Sequence, residues 1–310
     1  MQPSQHRVSR FTLRLLCQTG EARVLPTTGP VTKVEDMQNC SDSGARIHTE
    51  VIEGGSRRVV FLHGLMGRGK NFTTIARGLT ETTTSLLVDL PNHGASCWTE
   101  SFDYIEITDL VAEELRRDFC KDEPAVILGH SLGGKVAMLL ALRHPDLAAG
   151  LIIEDIAPLD SSTSEFEHLL GTLLKLDLDE VSSRTDAHAK LKSDIQEAGV
   201  RGFLLQNLVR DGEGGFVWQP NLQMLYDALP TIVGFPEVEE TFDDHPVLWV
   251  KGENSDYIND EAEVAMRKLF PVTRKIQIRD AGHWVHSEQS KIFTQTIDYY
   301  IAGRYEDATA

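Results

Sequence analysis

"PAVILGHSLGGKVAMLLALRHP", residues 124–145, reads as a strand, a sharp turn and a helix in immediate succession. The apolar run ending at His130 has the length and composition of a buried strand. From Leu132 the apolar residues continue as a helix, which Pro145 stops. At the junction stands Gly129-His130-Ser131-Leu132-Gly133, the pattern Gly-x-Ser-x-Gly in the one context that gives it meaning: a tight turn that lifts a serine oxygen above the sheet edge. The flanking glycines are needed where neighbouring chain passes too close to admit a β-carbon. Ser131 also opens the helix, whose partial positive end favours a developing anion.

On either side of this unit, from about residue 46, short apolar runs alternate with longer amphipathic ones. That is the mark of an α/β fold with a mostly parallel central sheet flanked by helices. RRVVFLHG (57–64), SLLVDLPNHG (85–94) and GLIIEDIAP (150–158) read as strands with their loops, and NFTTIARGL (71–79) and YIEITDLVAEELRRDF (104–119) as helices. HPVLWVKGENSD (245–256) and TRKIQIRDAGHW (273–284) supply two more strands, each followed by a helix. The core is therefore expected over 46–157 and 241–303. The intervening 158–240 far exceeds what a crossover needs and is expected to be an inserted helical lid. In it EFEHLLGTLLKL (165–176) and VRGFLLQNLV (200–209) have helical spacing, and DGEGGFVWQP (211–220) reads as a turn or short hairpin. Residues 1–45 are expected to be a disordered or targeting leader and 304–310 a tail.

With 47 acidic against 30 basic side chains the net charge is −17, which repels nucleic acid and anionic lipid surfaces. No apolar stretch reaches the roughly 18 residues of a membrane span. Cys17, Cys40, Cys97 and Cys120 are widely spaced, so neither a zinc site nor a disulfide is expected and a reducing compartment fits. The cytoplasm is the expected location. The alternative is the mitochondrion, because in the first 34 residues Arg7, Arg10, Arg14, Arg23 and Lys33 face a single acid, Glu21, as in a transit peptide.

GLMGRGKN (64–71) resembles a phosphate-binding loop, with Gly64, Gly69 and Lys70 in place. The next position must carry a hydroxyl for the magnesium ion, and it is Asn71, so no nucleotide is expected there. A serine hydroxyl needs a base and the base needs a carboxylate. His283, in RDAGHW after the last strand, is the candidate base; His286 belongs to the following helix. Asp155 and Asp256, each closing a strand, are both candidate acids, and spacing does not choose between them. The oxyanion of an acyl-transfer intermediate would rest on backbone N–H groups of Leu132 and of Leu65 or Met66. Phe203, Leu204, Trp218, Met224 and Leu225, with Trp98 and Phe102, are candidates to line an apolar acyl pocket, or simply to pack the lid on the core.

LHGLMG (62–67), DLPNHGAS (89–96), GHSLGGKVAM (129–138), IEDIAP (153–158), GFLLQNL (202–208) and AGHWVHSE (281–288) together resemble the α/β-hydrolase superfamily over residues 46 to 303. Within it they are similar to bacterial short-chain acyl esterases and thioesterases, mitochondrial α/β-hydrolase-domain proteins and yeast ethanol acetyltransferase. The resemblance implies the α/β-hydrolase fold and a Ser131–Asp155–His283 triad, with the Asp of the D-I-A-P segment as acid. It also implies a serine hydrolase acting on short- to medium-chain carboxylic esters or acyl-thioesters, with no cofactor and no metal. Dehalogenases and epoxide hydrolases of this superfamily carry an Asp at the elbow, and Ser131 argues against both. Alcohol acyl transfer, cofactor-free haloperoxidase or perhydrolase chemistry, and a triad-bearing ligand receptor remain alternatives. The expected partner is a small-molecule substrate for a monomer or homodimer.

Overall fold

The computed structural model describes residues 38–42, 46–243 and 245–303. Seven strands form the main sheet: β1 (Thr49–Ile52), β2 (Arg57–Leu62), β3 (Thr83–Val88), β4 (Ala125–His130), β5 (Ala148–Glu154), β8 (Val247–Gly252) and β9 (Thr273–Ile278). Between β5 and β8, β6 (Leu208–Arg210) and β7 (Phe216–Trp218) make a separate hairpin. The order across the main sheet is β1-β3-β2-β4-β5-β8-β9, all parallel except β1, which runs antiparallel to β3. Winding reverses beside β2: the chain first places β3 on one side, then β4 on the other. The loops leaving β2 and β4 therefore diverge, opening a crevice at the carboxyl edge, where sites form in such sheets.

Strand alternation feeds two cores, as expected of a sheet covered on both faces. Val60, Leu62, Ile127, Leu151, Ile153 and Trp249 point to one layer, with α2 (Tyr104–Arg117), α3 (Leu132–Arg143) and α9 (Asp260–Leu269). Val59, Phe61, Leu128, Ile152, Leu248 and Val250 point to the other, with α1 (Thr73–Gly78), α10 (Val285–Glu288) and α11 (Ser290–Ile301). At the start of α2, Asp103 accepts from the N–H groups of Ile105 and Glu106, satisfying two donors that the first helical turn leaves open.

Between β5 and β8 the chain forms α4 (Ser164–Leu174), α5 (Arg184–Lys190), α6 (Ala198–Leu205), α7 (Leu222–Asp227) and α8 (Leu229–Ile232). The helical spacing of VRGFLLQNLV holds only as far as Leu205; Leu208–Arg210 pairs with Phe216–Trp218 instead. The turn prevails because Asp211 Oδ1 accepts the N–H groups of Glu213 and Gly215 at 2.8 and 2.9 Å, and the Arg210 guanidinium lies 4.1 Å over the Phe216 ring.

The cysteine expectation is corrected. Cys40 and Cys97, 57 residues apart in sequence, form a disulfide across 5.0 Å between Cα atoms. They meet because the 38–42 segment lies alongside Trp98: Cys40 N–H donates to Trp98 O at 2.7 Å and Trp98 N–H to Gln38 O at 2.9 Å. The argument for a reducing compartment from unpaired cysteines falls with it. Cys120 is free and buried, its thiol pushed up to about 11 by burial. The remainder of the expected leader, 1–37 and 43–45, and the 304–310 tail lie outside the described residues, as does Cys17. No helix among the described residues is long and apolar enough to cross a membrane.

Candidate active site

Three segments converge at the carboxyl edge. Ser131 follows β4 directly, buried, at φ 52° and ψ −118°. Its N–H donates to the Glu154 carbonyl at 3.2 Å. A β-carbon at Gly129 would collide with the Gly133 carbonyl, and one at Gly133 with the carbonyls of Leu62 and His63, so the turn admits glycine alone at both places.

Asp155 follows β5 directly, at φ 50°, with no exposed surface. Its Oδ1 accepts the Gly252 N–H at 3.0 Å. Its Oδ2 accepts the Ser255 hydroxyl and, at 2.9 Å, Nδ1–H of His283. His283 leaves the end of β9 and reaches back over β8. That path is open because Gly252 has no side chain where the carbonyls of Ala281 and Gly282 pass. The Tyr257 ring stacks on the imidazole, centroids 4.2 Å apart and planes at 24°, and burial pushes its phenol up to about 12. His283 Nε2 is buried and has no hydrogen-bond partner among the described residues. Asp256 makes no hydrogen bond to His283; it lines a wider cavity of about 910 Å³, which Tyr257 and His283 also line. Ser255, its neighbour, is the residue that reaches Asp155.

The loop after β2 is held from both sides. Gly67 N–H closes a turn onto Gly64 O at 2.8 Å, and Met66 sits at φ 59°. His63, buried, accepts from Leu90 N–H through Nε2 at 2.9 Å and so donates from Nδ1 to Gly64 O at 2.8 Å. Burial holds its pKa below the ordinary imidazole value. Asp89 accepts the Gly69 and Ala95 N–H groups at 2.7 and 2.9 Å. Burial pushes its carboxyl up, but the hydrogen bond from His48 and the two nearby imidazoles outweigh that and hold it low. Asn71 Oδ1 accepts Arg68 N–H at 2.8 Å, and its Nδ2 donates to Gln206 Oε1 at 2.9 Å. Asn207 Nδ2 donates to Met66 O at 2.7 Å. The loop that resembles a phosphate cradle is thus a fixed turn bound by the chain just after α6. Among the described residues the N–H groups of Leu65 and Leu132 have no acceptor.

Leu65, Met66, Ser131, Phe203, Leu204 and His283 line one cavity of about 20 Å³. Phe166, Leu169 and Leu170 of α4, Val200 of α6, His130 and Trp284 complete its wall. The other residues expected at the pocket lie elsewhere. Leu225 is fully buried in the core, Phe102 packs edge-on to Tyr104 at 5.0 Å, and Met224 packs against the core from outside. Trp218 stands opposite Leu208 in the hairpin, and Trp98 pairs with Asn39. Leu225 and Phe102 are buried by packing, whereas Met224, Trp218 and Trp98 are half-buried and line no part of this cavity. The α4 residues were legible as a helix, but their facing was not. His130 and Trp284 sit beside Ser131 and His283 in sequence, which was the available signal. His130 donates from Nε2 to the His283 carbonyl at 3.0 Å. Burial, reinforced by the His283 and His286 rings, holds its pKa well below normal.

Serine, imidazole and carboxylate at one edge of a parallel sheet define a class of nucleophilic hydrolase. Residues 59–295 match the model of the Alpha/beta hydrolase family. The sn-1-specific diacylglycerol lipase ABHD11 of Xenopus laevis is 35% identical over 250 residues, covering 78% of this chain and 79% of the relative. Esterase YbfF of Escherichia coli is 30% identical over 256 residues, covering 83% and 97%. A solved marine microorganism esterase superposes with a TM-score of 0.78 at 30% identity, covering 82% of this chain and 98% of its own. This chain belongs to the alpha/beta hydrolase family.

Proposed function

We propose that the protein is a serine hydrolase of short- to medium-chain carboxylic esters, with Ser131 as nucleophile, His283 as base and Asp155 as the orienting acid. The observation that carries this reading is the Asp155–His283 hydrogen bond at 2.9 Å, with Ser131 and His283 lining the same cavity. The carboxylate fixes the proton on Nδ1, which leaves the lone pair of Nε2 as base. Nε2 takes the Ser131 proton as Oγ attacks the ester carbonyl. The oxyanion is met by the N–H groups of Leu132 and of Leu65 or Met66. Collapse breaks the ester bond, and the imidazolium gives its proton to the departing alcohol. Water, deprotonated by the same nitrogen, then adds to the acyl-enzyme, and collapse of that second intermediate releases the acid. Helices α4 and α6 of the inserted 158–240 segment act as the lid, and their apolar wall selects an acyl chain over a polar one.

The test combines p-nitrophenyl butyrate hydrolysis with fluorophosphonate labelling. Ser131→Ala is expected to lose both label and turnover, and full turnover by that variant overturns the reading. Asp155→Asn is expected to lose roughly 10⁴-fold in kcat, whereas Asp256→Asn stays near wild type. A collapse confined to Asp256→Asn moves the acid to the strand after Asp155.

A further inference from the structure

Behind Ser131, Asp155 and His283 lies a second set of side chains, each a near neighbour in sequence of one of the first. His130 precedes Ser131, Glu154 precedes Asp155, and His286 follows His283 by three positions. All three are buried, and one metal-ligating atom from each lies within 4.8 Å of the other two. Glu154 has no exposed surface. Its Oε1 accepts both N–H and Nδ1–H of His286 at 2.8 Å, while its Oε2 is buried with no partner among the described residues. A buried carboxylate oxygen left unpaired is unfavourable, and it is the atom a cation would satisfy. His130, donating from Nε2 to the His283 carbonyl, keeps an unprotonated Nδ1 in its neutral ring.

We propose that His130, Glu154 and His286 form a binding site for a divalent transition cation, with zinc the best match. Two imidazoles and one carboxylate are a zinc donor set, and imidazole selects zinc, copper, nickel or iron over magnesium and calcium. Bonds of about 2.0–2.2 Å in a tetrahedral site put ligand atoms roughly 3.4 Å apart, so the present spread closes with small side-chain rotations. For Nδ1 of His286 to bind the cation, its proton must pass to Nε2 of the same ring, a change of tautomer with no net proton release that leaves the carboxylate anionic and both imidazoles neutral. The Phe72 ring, 4.6 Å from that of His286, supplies an apolar wall. Access runs through the cavity that His130 shares with Ser131. The site is not readable from sequence, because the three donors come from β4, β5 and α10, with no ligand spacing to recognise.

The full chain, stripped of metal with a chelator, is titrated with zinc chloride by calorimetry, with stoichiometry from equilibrium dialysis. One zinc per chain is expected. Affinity should fall at least tenfold in Glu154→Gln and His286→Gln, and hold in Asp155→Asn, which breaks the other His–carboxylate pair. No saturable binding, equal affinity in Glu154→Gln, or a loss confined to Asp155→Asn overturns the proposal. Cobalt(II) gives a reading on wild type alone, independent of whether the variants fold. A four-coordinate visible spectrum supports the site, and one matching hydrated cobalt overturns it. None of these readouts depends on catalysis, so the site stands or falls apart from the proposed esterase activity.

Discussion

Ser131 holds a positive φ although it carries a β-carbon, a conformation costing about 1–3 kcal/mol. Asp155 and Met66 do the same, so three of the residues assigned to the site share this backbone penalty. The expected signature is a divergence in stability between two variants. Ser131→Ala keeps the β-carbon and should unfold near wild type in urea. Ser131→Gly removes it and, after the entropy glycine loses on folding, should be more stable than Ser131→Ala by about 1 kcal/mol. If the glycine variant unfolds no later, the turn is not strained at that position. The turn itself was legible in sequence, because Gly129, Ser131 and Gly133 stand at its spacing between a strand and a helix. That His283 bonds Asp155 and not Asp256 was not legible from spacing, since it depends on Gly252 letting the 281–283 backbone cross β8.

At the level of elements, the loop after β2 and the chain after α6 are one mechanical unit, joined through Met66 O, Asn71, Gln206 and Asn207. Asn207 is fully buried, so Asn207→Ala should cost about 1–3 kcal/mol of stability. It should also lower kcat, by up to about 100-fold if the loop shifts by an ångström. Urea denaturation and esterase kinetics on the same preparation separate the two effects, and unchanged kcat would show that the loop holds its shape unaided. The alternation of strands and helices was readable because each period is local. Strand β1 was not, because four half-buried residues carry no strong pattern and pair with β3 only through tertiary contact. Which face of α4 lies over Ser131 was hidden for the same reason. Phe166, Leu169, Leu170 and Leu173 mark an apolar face in the sequence, but what that face covers is decided only by packing.

Across the whole molecule, buried neutral histidines set the acid limit. Burial, with His63 nearby, lowers His93 to about 3, and burial lowers His63 in the same direction. Between the unfolded value of about 6.5 and the folded value, the unfolded chain binds a proton that the folded chain refuses. Stability therefore falls as pH falls through that window, at about 1.4 kcal/mol per pH unit for one such group. His48 works oppositely. Its hydrogen bond to Asp89 raises its pKa, a contribution present below about 6.5 and lost as pH rises, small because the side chain is 35% exposed. Urea midpoints at pH 7.5, 6 and 5 should decline, and His93→Asn should flatten the slope. A flat wild-type profile would mean that His93 takes up its proton without unfolding.

The roof over Ser131 has a consequence for tempo. About 20 Å³ is room for little more than one water molecule, so a four-carbon acyl group fits only when Phe166, Leu169 or Phe203 swing aside. On the proposed mechanism, the carboxylic acid formed at the end of the cycle would face the same barrier on its way out. Bond breaking and escape are then governed by different parts of the molecule, and for bulky acids the slower clock belongs to the parting of α4 and α6.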